Sequence, residues 1–303
     1  MGKYFNGVKR VVYECKESSI KGEEYYLQKQ QLKDLLKSIK ENNYKVPEGV
    51  NPYQLSLVMM ENIGDIDSEL RDDLILSNIF TWINEGVLSA KEVYELLKIT
   101  IDEEHLLKGL GNIDDSVFGR TFSVEIIAGI IYKHRMEKFI SESDIQKAFN
   151  TVLKFYNEDK DVRGYVEGKG WAHGAAHGAD VLDEFARCEE IGYDGLNKIL
   201  DAIYKKVNIN HYGYFHFEDE RMITPVKAIL ERQIIPTKEI EDWIKSFNKI
   251  EKTGTFPEDL VIEFNVNAFL KSLYFRLIDK PEYEQITNAI REVLKEISRF
   301  NEC

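Results

Sequence analysis

Residues 171–180, WAHGAAHGAD, place three side chains that can do chemistry within one short stretch. Successive residues of an α-helix turn by about 100°, so His173, His177 and Asp180 share a stripe about 60° wide. Two imidazoles four residues apart have the ligand spacing of helical zinc proteases, and the aspartate can be a third ligand. The same three residues form the predicted catalytic group. Gly174 stands where a zinc protease carries its catalytic glutamate, so that class of protease is disfavoured.

Three interpretations of this stretch remain open. A different hydrolase with a divalent metal would take its base from elsewhere, with Glu167, Asp183 and Glu184 as candidates. The second interpretation is a metal-free polar pocket, and the third is a tightly packed helix whose imidazoles bond neighbouring carbonyl groups. Gly174 and Gly178 each cost a helix interior about 1 kcal/mol relative to alanine, so close helix packing or space for a ligand should offset that cost.

The stretch before this helix, RGYVEGKGW (163–171), contains three glycines. A glycine-rich backbone that runs into a helix N-terminus can cradle a phosphate or carboxylate, with Arg163 and Lys169 supplying positive charge. The residue order matches neither a P-loop nor the dinucleotide fingerprint, and a tight turn between helices is an equal alternative. His134 approaches the His173 stripe only if helix register allows. The predicted ligand-binding residues are Arg120, Arg163, Glu167, Lys169, Trp171 and His134.

Apolar residues recur mostly at helical spacing, and only six prolines interrupt the chain. Mostly apolar helices open near positions 70, 122, 170, 224 and 266, with a charged-faced helix between successive ones. One of these intervening helices begins with a capping box of Ser89 and Glu92. The pattern predicts an all-α fold, an α/α superhelix of antiparallel helix pairs like the HEAT and armadillo solenoids. A compact all-α domain without true repeats is the alternative.

Four linkers before these helices each pair an arginine with carboxylates. They are residues 67–73, 112–123, 160–171 and 211–222, with Arg71, Arg120, Arg163 and Arg221. Stacked repeats would bring these linkers to one edge of an inner groove, where helix N-termini attract anions. The alternative is that each pair only ties adjacent repeats together.

Composition limits the partners and the compartment. A net charge of −13 opposes binding to nucleic acid or to an anionic membrane. Three widely spaced cysteines, Cys15, Cys188 and Cys303, argue against a disulfide framework and favour the cytoplasm. We expect residues 1–25 to form a variable N-terminal extension and residues 26–303 a single α-helical repeat domain.

Several longer motifs occur in one order along the chain: LRDDLILSNIFTWI, DEEHLLKGLGNIDDSVFGRTFSV, RGYVEGKGWAHGAAHGAD, EDERMITPVKAIL and FLKSLYFRL. In these motifs the chain resembles a bacterial family catalogued as domain of unknown function 2785. The resemblance extends from about Leu32 to Leu277. It implies an all-helical protein of Gram-positive type bacteria and implies no particular activity.

Two classes of function follow from these residues. In the first, the inner groove binds a small anionic or metal-associated ligand, and hydrolase-like chemistry occurs at the His173 stripe while Arg120, Arg163 and Lys169 orient the substrate. In the second, the groove of a helical-repeat interaction module holds a peptide or protein, and the same residues lock the repeats together.

Overall fold

The computed structural model describes residues 9–12, 24–250 and 252–298, with side chains described from residue 28 onward within these ranges. Cys15, Cys303 and most of the predicted N-terminal extension lie outside the described residues, so the interpretations of them stay predictions. Cys188 is buried and unbonded to another cysteine.

Helices make up most of the described residues, which confirms the predicted all-α class. The α-helices in the described ranges are α1 (Lys29–Glu41), α2 (Pro52–Glu61), α3 (Ser77–Asn84), α4 (Ala90–Thr100), α5 (Ser116–Met136), α6 (Glu142–Glu158), α7 (Gly174–Ala186), α8 (Tyr193–Val207), α9 (Glu218–Arg232), α10 (Thr237–Ser246), α11 (Glu258–Leu277) and α12 (Glu284–Ile297). A π-helical stretch, Glu69–Leu76, runs directly into α3, and a 3₁₀ turn, Pro281–Tyr283, precedes α12.

Four short strands form two antiparallel pairs in the described ranges. They are β1 (Lys9–Val12) with β2 (Glu24–Leu27), and β3 (Tyr165–Val166) with β4 (Gly170–Trp171). The second pair matters for the site because it lies directly before α7. Its register sets Tyr165 opposite Trp171.

Helix starts follow local sequence signals. Ser89 and Glu92 form the predicted capping box at the start of α4, with the Ser89 amide donating to Glu92 Oε2 at 2.8 Å. At the start of α6, the Ser141 hydroxyl accepts from the Asp144 amide at 3.2 Å. Such contacts satisfy amide groups that have no partner inside the helix.

The helices are arranged in two rows. Helices α3, α5, α7, α9 and α11 form one row, in which each helix packs against the next. Helices α4, α6 and α8 pack against α5, α7 and α9 respectively and form part of the second row. Apolar and small residues occur on every side of α5 and α7, and these two helices are therefore buried over most of their length. None of the described helices is both long enough and apolar enough to cross a bilayer.

Candidate functional site

The first turn of α7 differs from the helical stripe that the sequence predicts. His173 is the residue before the helix and has left-handed backbone dihedrals, with φ of 52°. Phe217, the residue before α9, has φ of 64°. Left-handed dihedrals cost a residue with a side chain about 1 kcal/mol or more, so two neighbouring helices begin with strained backbone. The turn takes the His173 ring out of the α7 stripe and toward β4.

His173 contacts residues of β4 and of the chain just before α9. Its ring stacks on Trp171 with centroids 4.5 Å apart, and its Nε2 lies 3.1 Å from the carbonyl oxygen of His216. Glu218 Oε1 lies 3.6 Å from that Nε2 and 3.8 Å from His216 Nδ1. Burial lowers the pKa of His173 to about 4 and raises the pKa of Glu218. The His173 imidazole is therefore uncharged at neutral pH.

His177 lies within α7 and faces α5. Its Nδ1 is 3.8 Å from Glu125 Oε1, and its ring meets Phe122 edge to face at 5.3 Å. The His173 ring is 5.6 Å away. Burial lowers the pKa of His177 well below its usual range, and burial raises the pKa of Glu125 to about 7 against the opposing charge of Arg221.

Asp180 is an ion-pair partner of Arg221. The Arg221 Nε donates to Asp180 Oδ1 at 2.6 Å, and its Nη2 contacts the other carboxylate oxygen. The same Nη2 lies 3.7 Å from Glu125 Oε1. The charge of the Asp180 carboxylate is therefore already neutralised by a guanidinium of the protein.

Five residues therefore form one buried or partly buried polar group, which we call the His–Glu cluster: His173, His177, His216, Glu125 and Glu218. Four of its atoms are buried without a hydrogen-bond partner among the described residues, namely Glu125 Oε1, His177 Nδ1, His216 Nδ1 and Glu218 Oε1. The hydroxyls of Thr121 and Ser123 on α5 are also buried without a partner there. Each such atom costs about 1–3 kcal/mol, and native proteins keep few of them.

The predicted metal-ligand set is not formed by His173, His177 and Asp180. Nowhere in the described part of the chain are three or more His, Cys, Asp or Glu side chains grouped so as to hold a metal ion. The backbone turn at His173 directs its Nε2 to the carbonyl group of His216. The Asp180 carboxylate, which remains on the helix, pairs with the guanidinium of Arg221.

The Arg120 guanidinium, predicted to orient a ligand, has every N–H engaged inside the protein. It is buried and donates to both Asp159 oxygens at 2.9 and 3.1 Å. Its other donors reach Ser116 Oγ and the carbonyl oxygens of Lys108, Gly109 and Asn112.

The other two predicted cations are also paired. Arg163 holds both oxygens of the Asp161 carboxylate, and Lys169 Nζ lies 2.7 Å from both oxygens of Asp115. The Lys169–Asp115 pair ties the segment between α6 and α7 to the start of α5, whereas the Arg163–Asp161 pair lies within that segment. Positive charge on this segment is therefore matched by carboxylates of the protein itself.

The remaining predicted ligand-binding residues are Trp171, Glu167 and His134. Trp171 adjoins the cluster, while Glu167 is exposed in the turn between β3 and β4. His134 lies twelve residues beyond Phe122 on α5, about 18 Å along the helix. Its Nδ1 accepts from the amides of Phe139 and Ile140, so it holds the loop between α5 and α6 and does not approach His173.

Two of the three alternative bases suggested for a metal hydrolase are engaged as well. Asp183 accepts from the Arg187 Nε, and Glu184 pairs with Arg135. Neither belongs to the His–Glu cluster as defined above.

Glu125, His216 and Glu218 are the cluster members that the sequence interpretation missed. Glu125 is a single carboxylate inside an apolar helix, and that isolation was the available signal. His216 and Glu218 lie in the linker 211–222, whose polar character was noted without their contact with His173.

The glycines near the cluster have separate explanations. A Cβ at Gly178 would lie 2.3 Å from the buried Tyr156 ring, so this glycine allows α6 and α7 to approach closely. A Cβ at Gly164 would lie 2.3 Å from His216 Nδ1 and 2.9 Å from Glu218 Oε1. A side chain at Gly164 would therefore overlap both atoms.

Aromatic side chains continue from the cluster to the surface, and we call Tyr165, Trp171 and Phe215 the aromatic rim. Trp171 lies 5.1 Å from the Tyr165 ring and 5.4 Å from the His216 ring, and Phe215 lies 4.4 Å from His216. The exposed fractions are 37% for Trp171, 53% for Tyr165 and 65% for Phe215. The rim is the exposed boundary of the cluster.

Two surface depressions lie apart from the cluster. One of about 580 Å³ includes Gln146 and Tyr193 at the second row of helices. The other, of about 340 Å³, is lined mainly by apolar residues such as Ile229 and Tyr283. Neither includes a residue of the His–Glu cluster, so the cluster is identified by its chemistry and not by its volume.

A family model described as Protein of unknown function (DUF2785) matches residues 106–275, which is more than half of the chain. The chain belongs to this family. The resemblance found in the motifs is thus confirmed, and the matched segment of the DUF2785 family includes all five residues of the His–Glu cluster. The segment is shorter than the predicted 32–277, and α1–α4 lie before it. No curated protein and no solved structure is detectably similar to the chain.

Proposed function

We propose that the His–Glu cluster binds a small polar ligand, on which Glu125 and His177 exchange protons. The observation that carries this proposal is the group of four buried polar atoms without a hydrogen-bond partner among the described residues. A cluster kept only for stability would be expected to satisfy such atoms, because each unpaired one costs free energy. A ligand with hydrogen-bonding groups would satisfy them.

The protonation states of the pair suit general acid–base chemistry. Glu125, with its pKa raised by burial to about 7, is populated in both protonation states at neutral pH. His177 is uncharged there, because burial lowers its pKa. The two groups are 3.8 Å apart, so one proton can pass between them through a hydroxyl group of a ligand or through water. Hydrolase-like chemistry is the reaction class that we propose.

The architecture proposed for this site is an α/α superhelix of HEAT or armadillo type. Support comes from the row in which α5, α7, α9 and α11 follow one another, with the second row packed behind it. In this proposal residues 26–303 form one repeat domain of a cytoplasmic bacterial protein, and residues 1–25 form a variable extension.

A second candidate function is a helical-repeat module that binds a peptide or protein. Large aromatic side chains are exposed beside the cluster and on α11, namely Phe215, Phe217, Phe264 and Phe275. Exposed apolar groups of this kind occur at protein interaction sites. The unpartnered buried atoms favour the small-ligand proposal, because a peptide on the rim would not reach them.

Two buried histidines provide the test. His134 and His177 are 1% and 8% exposed, but His134 Nδ1 accepts two amide hydrogens while His177 Nδ1 has no partner in the described chain. We expect His177→Leu to raise the free energy of unfolding by about 1 kcal/mol and His134→Leu to lower it by about 1–3 kcal/mol. Urea unfolding at pH 7 measures both values.

Equal losses of stability in the two variants would contradict the proposal, since His177 would then be a packing residue. A fragment screen by ligand-observed NMR gives the functional half of the test. Fragments that bind the wild type should lose binding in His177→Leu and keep it in a folded His134 variant such as His134→Gln.

A further inference from the structure

The unpartnered atoms of the His–Glu cluster include two carboxylate oxygens, which can only accept when ionised. Glu218 Oε1 is the more enclosed, on a side chain that is 1% exposed, and Glu125 Oε1 lies on a side chain that is 14% exposed. Glu218 Oε2 already accepts from the His216 amide at 2.8 Å, so Oε1 is the oxygen left for a ligand. A ligand that satisfies these oxygens has to bring N–H or O–H donors.

Three cations near the cluster are each paired with a carboxylate, although the charge of Arg221 still acts on Glu125. Lys169 and Arg163 are held by Asp115 and Asp161, and the Arg221 guanidinium is held by Asp180. His173 and His177 are both uncharged at neutral pH, since burial lowers their pKa values. The chain as a whole carries a net charge of −13. This electrostatic environment attracts a cation and gives an anion little to bind.

The aromatic rim adds a second kind of cation contact. Trp171 stacks on His173, whose Nε2 is 3.6 Å from Glu218 Oε1, so the indole and the buried carboxylate both adjoin the same imidazole ring. Aromatic faces bind organic cations through the ring quadrupole, most strongly for tryptophan. We propose that the cluster binds a small organic ammonium ion, with the Glu218 carboxylate and the Trp171 ring as its main contacts. This inference rests on the proposed function and specifies the charge class of the ligand.

Titration of the full-length protein with n-butylammonium chloride, followed by ligand-observed NMR, tests the inference. The wild type should bind saturably, and Glu218→Gln and Trp171→Ala should each weaken binding about tenfold. Glu218→Gln keeps an oxygen for the His216 amide, so it removes charge with little change of shape.

Matched controls are available on the same chain. Glu220→Gln removes a carboxylate two residues further along α9 that pairs with Arg276. Tyr193→Ala removes a ring on α8 that is 43% exposed and whose hydroxyl contacts Glu239. Both control variants should bind n-butylammonium within about twofold of the wild type, and control losses as large as those of Glu218→Gln and Trp171→Ala would overturn the inference.

Parallel titrations with xylitol and acetate separate this inference from the proposed function. Binding of xylitol or acetate that depends on Glu218, without binding of n-butylammonium, overturns the ammonium inference and supports the proposed function. Absence of saturable n-butylammonium binding overturns the inference in every case. The proposed function is then judged by the stability of His177→Leu, which involves no ligand.

Discussion

Two buried polar groups lie five residues apart on α5, and their surroundings differ completely. Every nitrogen of the Arg120 guanidinium donates to an oxygen, and Asp159 receives two of these hydrogen bonds. Glu125 lies about one and a half turns further along and has one buried oxygen with no hydrogen-bond partner among the described residues. Nitrogen atoms of His177 and Arg221 lie 3.8 and 3.7 Å from this oxygen, beyond hydrogen-bond distance.

The difference separates a structural ion pair from a candidate site. A buried charge that is fully hydrogen-bonded leaves nothing for a ligand, whereas a buried carboxylate with an unused oxygen lowers stability until something binds it. The sequence interpretation treated the arginines as ligand-binding residues. A buried arginine can equally have all of its N–H groups hydrogen-bonded to oxygens of the same protein. The test of a site is whether hydrogen-bonding capacity remains unused.

The largest effect should follow the removal of Arg120. We expect Arg120→Leu to lower the free energy of unfolding by about 3–5 kcal/mol, because Asp159 would keep its buried charge without its partner. Urea unfolding at pH 7 measures the loss. As a control, Lys169→Leu breaks a pair whose two side chains are 34% and 46% exposed, and it should cost about 1 kcal/mol or less. A similar small loss for Arg120→Leu would remove the contrast between the two regions.

The second effect is a pH dependence that Glu125 imposes on stability. Its pKa rises from an ordinary value of 4.5 to about 7 in the folded protein, so its proton is held more tightly there than in the unfolded chain. The resulting stabilisation is fully present below pH of about 4.5 and is lost as the pH rises through about 7. Relative to Glu125→Gln, the free energy of unfolding of the wild type should fall by about 2–3 kcal/mol as the pH rises from about 4.5 to about 7.

Urea unfolding of wild type and Glu125→Gln at several pH values measures this difference directly. The contributions of His173 and His177 run in the opposite direction, because their folded pKa values are lowered, and they largely cancel between the two proteins. A difference that stays constant from acid to alkaline pH would mean that Glu125 titrates like an exposed carboxyl.

Helices were predictable from the sequence because their signals are local. The capping box of Ser89 and Glu92 marks the start of α4, and apolar and small residues on every side mark α5 and α7 as buried. His177 was recognised for the same reason, since a histidine among alanines and glycines is conspicuous in any reading of the chain.

The cluster itself was only partly predictable, because its contacts depend on backbone details that the sequence does not display. The left-handed turn at His173 is held by the hydrogen bond from its amide to the Arg163 carbonyl, and it moves the imidazole off the expected stripe. Glu218 meets His173 from 45 residues further along the chain, which requires the register of α7 against α9. The sequence of the four linkers likewise does not show whether the arginine in each one is neutralised by a carboxylate of the protein.

A smaller effect concerns Gly178, which lies on the packed side of α7. We expect Gly178→Ala to destabilise the protein by about 1–2 kcal/mol, because overlap with the Tyr156 ring outweighs the better helix propensity of alanine. Gly119→Ala on α5 is the control, since its Cβ would meet only the Gly64 α-carbon at an ordinary 3.7 Å. Thermal unfolding compares the pair. A stabilised Gly178→Ala would show that this glycine leaves space for something other than Tyr156.

The smallest effect concerns the strained residue before α9. Phe217 has a positive φ and is 76% exposed, so Phe217→Gly should relieve strain while losing little packing, with a gain of about 0.5–1 kcal/mol. Phe215→Gly is the control, because Phe215 is similarly exposed and does not have a positive φ. Thermal unfolding should show a gain for Phe217→Gly alone. Equal effects would mean that strain at the start of α9 is negligible, and the unpartnered polar atoms would then be the main destabilising feature of this region.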